Sequence, residues 1–249
     1  MKRKLLNILL WLLAIGVFGT LIFAFVSLQG QTRYAVQPNL TRIEIRGVQE
    51  GDFLKKEDII KVLPIDFRDT LLHPIILTNI EEDIQRQLPY VKRANAYVSP
   101  TNHQMTIHID SRKPILRYFT PMGAYYLDDE GIPMQTKAGV SIYVPAVTTT
   151  QADSVTIKET LYPLAQFLDE HKEWQTFFSL IEIKNSNCIH FYPRVGDYIF
   201  EVKGVNNLAK ELPKIGIFYN KIVPKVGANK YQLIKLSYSG QIVCKERHQ

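Results

Sequence analysis

Cysteine and histidine are scarce in this sequence, which limits the chemistry that it can support. Two cysteines, Cys188 and Cys244, and six histidines occur among 249 residues. His103 and His108 lie five positions apart, which on a strand directs them to opposite faces, so the pattern predicts no metal site. The two cysteines could form one disulfide, but spacing alone does not show that they meet, so paired and free thiols both stay open.

Motifs for nucleotide binding and nucleophilic catalysis are absent as well. The sequence has no Gly-x-Gly-x-x-Gly, no Gly-x-Ser-x-Gly elbow and no glycine-rich phosphate loop. The acidic run Asp128-Asp129-Glu130 precedes Gly131, and three adjacent carboxylates do not face each other across a cleft as a glycosidase requires. We interpret this run as a solvated turn. The sequence therefore predicts no cofactor and no catalytic residue, although a site assembled from distant loops would leave no local motif.

The charge of the chain is also small in relation to its length. The formal net charge is +6, and Lys2, Arg3 and Lys4 contribute half of it. Beyond these residues no stripe of basic and aromatic side chains occurs. The sequence therefore predicts no nucleic-acid partner.

What the sequence does contain is one long uncharged run, Leu5–Leu28. A membrane-spanning helix needs about 20 apolar residues, so this run predicts a single transmembrane helix in the lipid bilayer. It is too long for a cleaved signal peptide, whose apolar region has about 7–15 residues. The three basic residues before it predict a cytoplasmic N-terminus and a globular portion on the other side of the membrane. Gly16, Thr20 and Ala24 form a stripe of small residues, so lateral association of the helix stays open.

Two globular segments follow a polar linker over residues 29–40. The first, residues 41–112, has the order strand, helix, helix, strand, strand, and the second, residues 113–249, is rich in β-structure. In the first segment, periodicity predicts strands at 41–48, 90–98 and 104–110 and helices at 54–63 and 75–88. In the second it predicts strands at 115–119, 123–127, 132–134, 141–144, 180–184, 188–192 and 198–202, helices at 154–171 and 207–223, and a final hairpin of 232–238 and 241–245. The fold class is therefore α+β.

Several short motifs, in this order, resemble one protein family. They are Leu88-Pro-Tyr-Val-Lys92, Met105-Thr-Ile-His-Ile109, Arg112-Lys-Pro114, Tyr126-Leu-Asp-Asp-Glu-Gly131 and Val144-Pro-Ala-Val147. The segment 41–112 resembles a POTRA domain, a β-α-α-β-β module. With the N-terminal helix and the β domain, the chain is similar to the bacterial cell-division family FtsQ/DivIB. The resemblance implies a cytoplasmic stub at 1–4, a transmembrane helix at 5–28, a POTRA domain at 41–112 and a β domain at 113–249.

The resemblance also implies a function. Such a protein is a non-enzymatic scaffold of the divisome, in the inner membrane with most of the chain periplasmic, that recruits FtsB- and FtsL-type partners during septum formation. The final hairpin would bind them by strand addition, since between Lys235 and Lys245 it has no charge and no proline to blunt an edge. The residues predicted to bind partners are Ser237, Tyr238, Ser239, Gly240, Gln241, Ile242 and Val243. The alternatives are a signal-anchored cell-envelope enzyme acting on peptidoglycan or polysaccharide, and a POTRA-bearing secretion or outer-membrane assembly component.

Overall fold

The computed structural model describes residues 2–29, 34–35, 41–46, 53–63, 71–72, 74–227 and 230–247. The chain divides into two compact units. Unit 1 comprises Met1–Arg46 and Leu54–Ser111, and unit 2 comprises Gly47–Phe53 and Arg112–Gln249. Helices and strands occur in both units, so the α+β class is confirmed. Most of the predicted linker at 29–40 lies outside the described residues.

The first helix, α1, extends over Lys2–Gln29 and so includes the three basic residues as well as the uncharged run. Within the part of the chain that the structure describes, no helix combines the length and the apolarity of a membrane span. Large apolar side chains of α1 are nevertheless exposed, among them Trp11 at 72% and Phe23 at 75%.

Unit 1 contains a three-stranded sheet and two further helices. Its elements after α1 are β1 (Tyr34–Ala35), β2 (Arg42–Arg46), α2 (Lys56–Val62), β3 (Leu71–Leu72), α3 (Pro74–Gln87), β4 (Val91–Val98) and β5 (Met105–Ser111). The sheet has the order β2-β5-β4, in which β5 is parallel to β2 and antiparallel to β4. The two-residue strands β1 and β3 pair with each other.

Helix α3 packs against the sheet through the apolar positions that its sequence repeats every three or four residues. Pro74 begins the helix, where its missing N–H leaves no hydrogen bond unmade. Ile80 and Ile84 are buried in the same cluster as Ile107 on the central strand. These side chains make up much of the hydrophobic core of unit 1, whose burial stabilises the fold by about 1.5–3 kcal/mol for each large aliphatic side chain.

Unit 2 is built on one large sheet. Its elements are β6 (Pro114–Thr120), β7 (Gly123–Asp128), β8 (Pro133–Gln135), β9 (Ala146–Thr149), α4 (Ser154–Thr156), α5 (Tyr162–Glu170), α6 (Lys172–Phe177), β10 (Phe178–Asn185), β11 (Cys188–Pro193), β12 (Ile199–Val202), α7 (Leu208–Glu211), α8 (Lys214–Ile217), α9 (Val223–Val226), β13 (Tyr231–Lys235) and β14 (Val243–Glu246). Among the described residues, nine strands follow the order β14-β13-β12-β11-β10-β9-β6-β7-β8.

The helices of unit 2 cover one face of this sheet. The core combines strand residues such as Ile189 and Phe200 with helix residues such as Leu164, Leu212 and Phe218. Because side chains alternate along a strand, the residues between these strand positions lie on the opposite face, which we call the outer face.

One predicted element of unit 2 is wrong in position, and two predicted helices lie where expected but are interrupted. The strand predicted at 141–144 is not one; the strand of this region is β9, where Val147 and Thr149 are buried, paired in parallel with β6 and β10. The helix predicted at 154–171 contains a π-helical turn at Ile157–Leu161, immediately before Pro163, whose missing N–H interrupts regular hydrogen bonding. The helix predicted at 207–223 is divided at Pro213 for the same reason.

Candidate partner-binding edge

The C-terminal strand β14 lies at one end of the large sheet. Among the described strands it pairs with β13 alone, and β8 ends the sheet at the other side. An edge strand offers unpaired N–H and C=O groups to which an extended segment of another chain can add a strand. The opposite edge is less suitable, because β8 has three residues and begins with Pro133, which has no N–H to donate.

The hydrogen bonds show which backbone groups of β14 point outward. The N–H of Arg247 donates to the carbonyl of Lys230 at 3.0 Å, so Arg247 faces β13. The backbone groups of successive strand residues point to alternate sides. The residues two and four positions earlier therefore also face β13, whereas Cys244 and Glu246 direct their N–H and C=O groups away from the sheet.

One of the seven residues predicted to bind partners lies on this strand. Val243 is the first residue of β14 and is 38% exposed. The other six, 237–242, belong to the connection over residues 236–242, which we call the β13–β14 loop. The predicted hairpin strands therefore extended too far into the turn, which contains Gly240 in the left-handed conformation with φ of 70°.

Two helix residues, Lys214 and Glu211, hold the β13–β14 loop. The ammonium of Lys214 donates to the carbonyl of Leu236 and, at 2.8 Å, to that of Tyr238. The hydroxyl of Ser237 donates to the buried carboxylate of Glu211 at 2.8 Å. These bonds fix the loop beside the edge.

Strand β14 carries more charge than the uncharged hairpin that the sequence predicts. The uncharged stretch is mostly loop, and β14 ends with the exposed residues Lys245 and Glu246. Glu246 pairs with Lys230 at 3.2 Å, and this hydrogen bond and charge raise the pKa of Lys230. Charged side chains on an edge oppose pairing between identical edges without blocking its backbone groups.

Sequence reasoning missed a row of polar side chains on the outer face. Glu182, His190, Glu201 and Lys235 stand opposite one another on β10, β11, β12 and β13. Nε2 of His190 lies 3.3 Å from Oε2 of Glu201, and Nζ of Lys235 lies 2.9 Å from Oε1 of the same carboxylate. Sγ of Cys188 lies 3.6 Å from Nε2 of His190. The spacing Cys188-Ile-His190 places two of these side chains on one face of a strand, but only the sheet register brings the others to them.

The electrostatics of this row favour a carboxylate that stays charged and a thiol that stays protonated. Burial raises the pKa of Glu201, but hydrogen bonds from Lys235 and His190 outweigh it and lower the pKa below the ordinary value. Burial and the Glu201 carboxylate raise the pKa of the Cys188 thiol.

The structure leaves Cys188 and Cys244 as free thiols. Cys188 is on β11 and Cys244 on β14, and two strands lie between β11 and β14, so the two cysteines are about 14 Å or more apart, too far for a disulfide.

Contrary to the sequence prediction, the acidic run Asp128-Asp129-Glu130 is not solvated throughout. Asp128 is fully buried and not solvated. Its Oδ2 accepts from Nη1 of Arg112 at 2.7 Å, and its Oδ1 accepts from the backbone N–H groups of Glu130 at 3.0 Å and Ile132 at 2.7 Å. This carboxylate is bound within the fold, and only its exposed neighbours Asp129 and Glu130 fit the predicted solvated turn.

Comparison with known protein families gives a match over most of unit 2. A family model described as FtsQ/DivIB, C-terminal related, matches residues 113–245, which is more than half of the chain. The match includes the large sheet and most of β14. No curated protein matches the sequence. The chain therefore belongs to the FtsQ/DivIB family, whose members are non-enzymatic cell-division proteins.

Proposed function

We propose that this chain is a membrane-anchored scaffold of the cell-division complex that captures FtsB- and FtsL-type partners by strand addition at β14. The observation that carries the proposal is the position of β14 at the edge of the sheet in the region that the family model matches. Cys244 and Glu246 would provide the outward N–H and C=O groups for the added strand.

The neighbourhood of the edge supports this role. The side chains of Tyr238 and Val243 are 46% and 38% exposed, and both are suited to apolar contact with a bound segment. Tyrosine is common among the residues that dominate binding energy at protein interfaces. Lys214 and Glu211 hold the loop that carries Tyr238, so little conformational entropy would be lost on binding.

The N-terminal parts would position this edge. Helix α1 would anchor the chain in the inner membrane through Leu5–Leu28, with the basic residues 2–4 on the cytoplasmic side and the globular residues 41–249 on the other. Unit 1 would act as a POTRA domain that docks other membrane proteins of the division complex. Apart from the two-residue strand β3, the order from β2 to β5 is strand, helix, helix, strand, strand, and β5 lies between β2 and β4, which supports this assignment.

Two substitutions at one position test the strand-addition mechanism. Glu246→Ala removes the side chain and its ion pair but keeps the outward N–H, whereas Glu246→Pro also removes that N–H and places a ring at the edge. Affinity for a purified FtsB–FtsL-type complex would be measured with the full-length chain in detergent. We expect Glu246→Ala to bind within about twofold of the wild type, because exposed ion pairs contribute little. Glu246→Pro should weaken binding about tenfold or more, which corresponds to about 1.4 kcal/mol, the scale of one hydrogen bond.

The results test strand addition at β14 and the identity of the partner separately. Equal affinity of both variants would refute strand addition at β14 while leaving partner binding intact. Absence of binding by the wild-type chain would refute the partner assignment. Intrinsic fluorescence of Trp174, which packs against Phe177 and Phe178, would verify that each variant is folded.

A further inference from the structure

Three potential metal ligands meet on the outer face of unit 2. Cys188 and His190 are two positions apart on β11, and Glu201 lies opposite His190 on β12. One ligand atom from each lies within 4.8 Å of the others. We call these three residues the Cys-His-Glu cluster. The register of the sheet defines their relative positions, because all three are on strands.

Two of the three separations in the cluster are those of ligands around one tetrahedral ion, and the third, between Cys188 and Glu201, is within 4.8 Å. Zinc binds sulfur at about 2.3 Å and nitrogen or oxygen at about 2.0–2.2 Å, so tetrahedral geometry requires about 3.6 Å between sulfur and nitrogen and about 3.3–3.4 Å between nitrogen and oxygen. The corresponding separations are 3.6 Å from Sγ of Cys188 to Nε2 of His190 and 3.3 Å from Nε2 to Oε2 of Glu201. We infer that the Cys-His-Glu cluster binds a divalent transition-metal ion of the zinc type.

The chemistry of the ligands supports this assignment. A thiolate, a neutral imidazole and a carboxylate together carry two negative charges, which balance a divalent ion, and sulfur and nitrogen ligands select zinc over magnesium or calcium. Binding replaces the thiol proton of Cys188 with the metal, and this proton goes to solvent, while neutral His190 binds through Nε2 with its one ring proton on Nδ1. Three protein ligands leave a fourth position for water.

The surroundings of His190 are those of a metal ligand with an outer carboxylate. Its Nδ1 is buried and has no hydrogen-bond partner among the described residues. Oε2 of Glu182, on the neighbouring strand, lies 4.0 Å from Nδ1 and accepts a hydrogen bond from the hydroxyl of Tyr192 at 2.7 Å. A carboxylate in this position orients a histidine so that its other nitrogen faces the metal. A small rotation of the ring or the carboxylate would complete the hydrogen bond.

One neighbour competes with the metal. Nζ of Lys235 lies 2.9 Å from Oε1 of Glu201, so its positive charge occupies one side of the carboxylate. Replacing it with methionine removes that charge and keeps most of the apolar stem. Metal affinity should therefore increase in Lys235→Met, whereas a purely structural ion-pair row would gain nothing from this change.

Cobalt binding to the full-length chain tests the inference. Co²⁺ substitutes for zinc and gives a thiolate-to-metal absorption band only when sulfur is a ligand. After treatment with a chelator and a reductant, the wild-type chain should bind one equivalent of Co²⁺ with this band, and Zn²⁺ should displace it. The band should be lost in Cys188→Ser and retained in Cys244→Ser, the matched control on β14. Glu182→Gln should weaken binding about 10- to 100-fold, the effect typical of an outer-shell partner.

The wild-type measurement is decisive even where a variant does not fold. Absence of the band in the wild-type chain would overturn the inference, as would its equal loss in both cysteine variants. Unchanged affinity in Lys235→Met and Glu182→Gln would contradict the proposed geometry around His190. None of these measurements depends on division partners, so they are independent of strand addition at β14.

Discussion

The substitution Asp128→Asn should destabilise unit 2 strongly. Asp128 is fully buried, and its carboxylate accepts one hydrogen bond from the Arg112 guanidinium and two from backbone N–H groups. Asparagine keeps one oxygen, which can still accept from the two backbone groups. Its NH₂ group, however, faces a guanidinium that has only donors, so Arg112 loses its buried partner and keeps only the exposed carboxylate of Glu130, 3.4 Å away.

The expected magnitude follows from this loss. Removing one member of a buried ion pair costs about 3–5 kcal/mol, because the remaining charge stays desolvated. The side chain of Arg112 is 18% exposed, so its charge is largely removed from water. With a urea dependence of about 1–3 kcal/mol per molar, the unfolding midpoint of unit 2 should fall by about 1 M or more.

Tryptophan fluorescence measures this effect separately in unit 2. The chain has two tryptophans, Trp11 on α1 and Trp174 in unit 2. In a Trp11→Phe background, Trp174 reports the urea unfolding of unit 2 alone. The matched control is Asp129→Asn, which makes the same chemical change at the exposed neighbouring position and should cost about 0.5 kcal/mol or less.

Two results would refute this reasoning. One is an equal urea midpoint for Asp128→Asn and Asp129→Asn. The other is strict additivity in a double-mutant cycle with Arg112→Met, since directly paired residues should show a coupling energy of about 0.5–3 kcal/mol.

Three further predictions concern other parts of unit 2. Gly196→Ala should destabilise unit 2 by about 1–3 kcal/mol in urea, because the added Cβ would lie 2.6 Å from the buried Tyr198 ring and φ is 107°. Lys214→Met should increase hydrogen exchange in the β13–β14 loop and cost about 1–3 kcal/mol, because it leaves two loop carbonyls without their charged donor. Burial raises the pKa of Glu182, but its hydrogen bonds outweigh it and lower the pKa below 4.5, so the stabilisation is complete above that pH and is lost as the pH falls. The melting temperatures of the wild type and Glu182→Gln should therefore differ at pH 7, and the difference should be smaller at pH 3.

Each of these predictions has a contrary outcome. Gly139→Ala, with φ of 76° and no atom within 4 Å of the added Cβ, is the control for Gly196→Ala, and equal effects would show that the ring contact costs nothing. Unchanged exchange in Lys214→Met would mean that the loop is held by other contacts. A difference in melting temperature that persists undiminished at pH 3 would show that the carboxylate charge is not what stabilises the sheet at Glu182.

Local patterns predicted helices α2 and α3 to within two residues and strands β4 and β5 to within one residue, but not the two-residue strands β1 and β3. Helix α3 was expected at 75–88 and lies at Pro74–Gln87, since apolar residues recur every four positions after a proline. Strand β5 was expected at 104–110 and lies at Met105–Ser111. In both elements the hydrophobic period itself identifies the buried face.

Local sequence patterns could not predict which distant segments of the chain pair with one another. The strand expected at 141–144 lies at Ala146–Thr149, because its parallel neighbours β6 and β10 determine which residues extend into the sheet. The six residues 237–242 were expected near an edge, but Lys214 and Glu211, from helices far earlier in the chain, hold them as a loop. Asp128 was expected in water, and only its pairing with Arg112 explains its burial.

The sequence alone determined the uncharged run Leu5–Leu28, the α+β class and the family resemblance, because these depend on local composition, periodicity and motifs in order. The tertiary structure decided that β14 is an edge, which of its backbone groups face outward, and that Cys188, His190 and Glu201 meet. The physical reason is that strand order and register depend on the free energy of burying one common core, to which segments far apart in the chain contribute together.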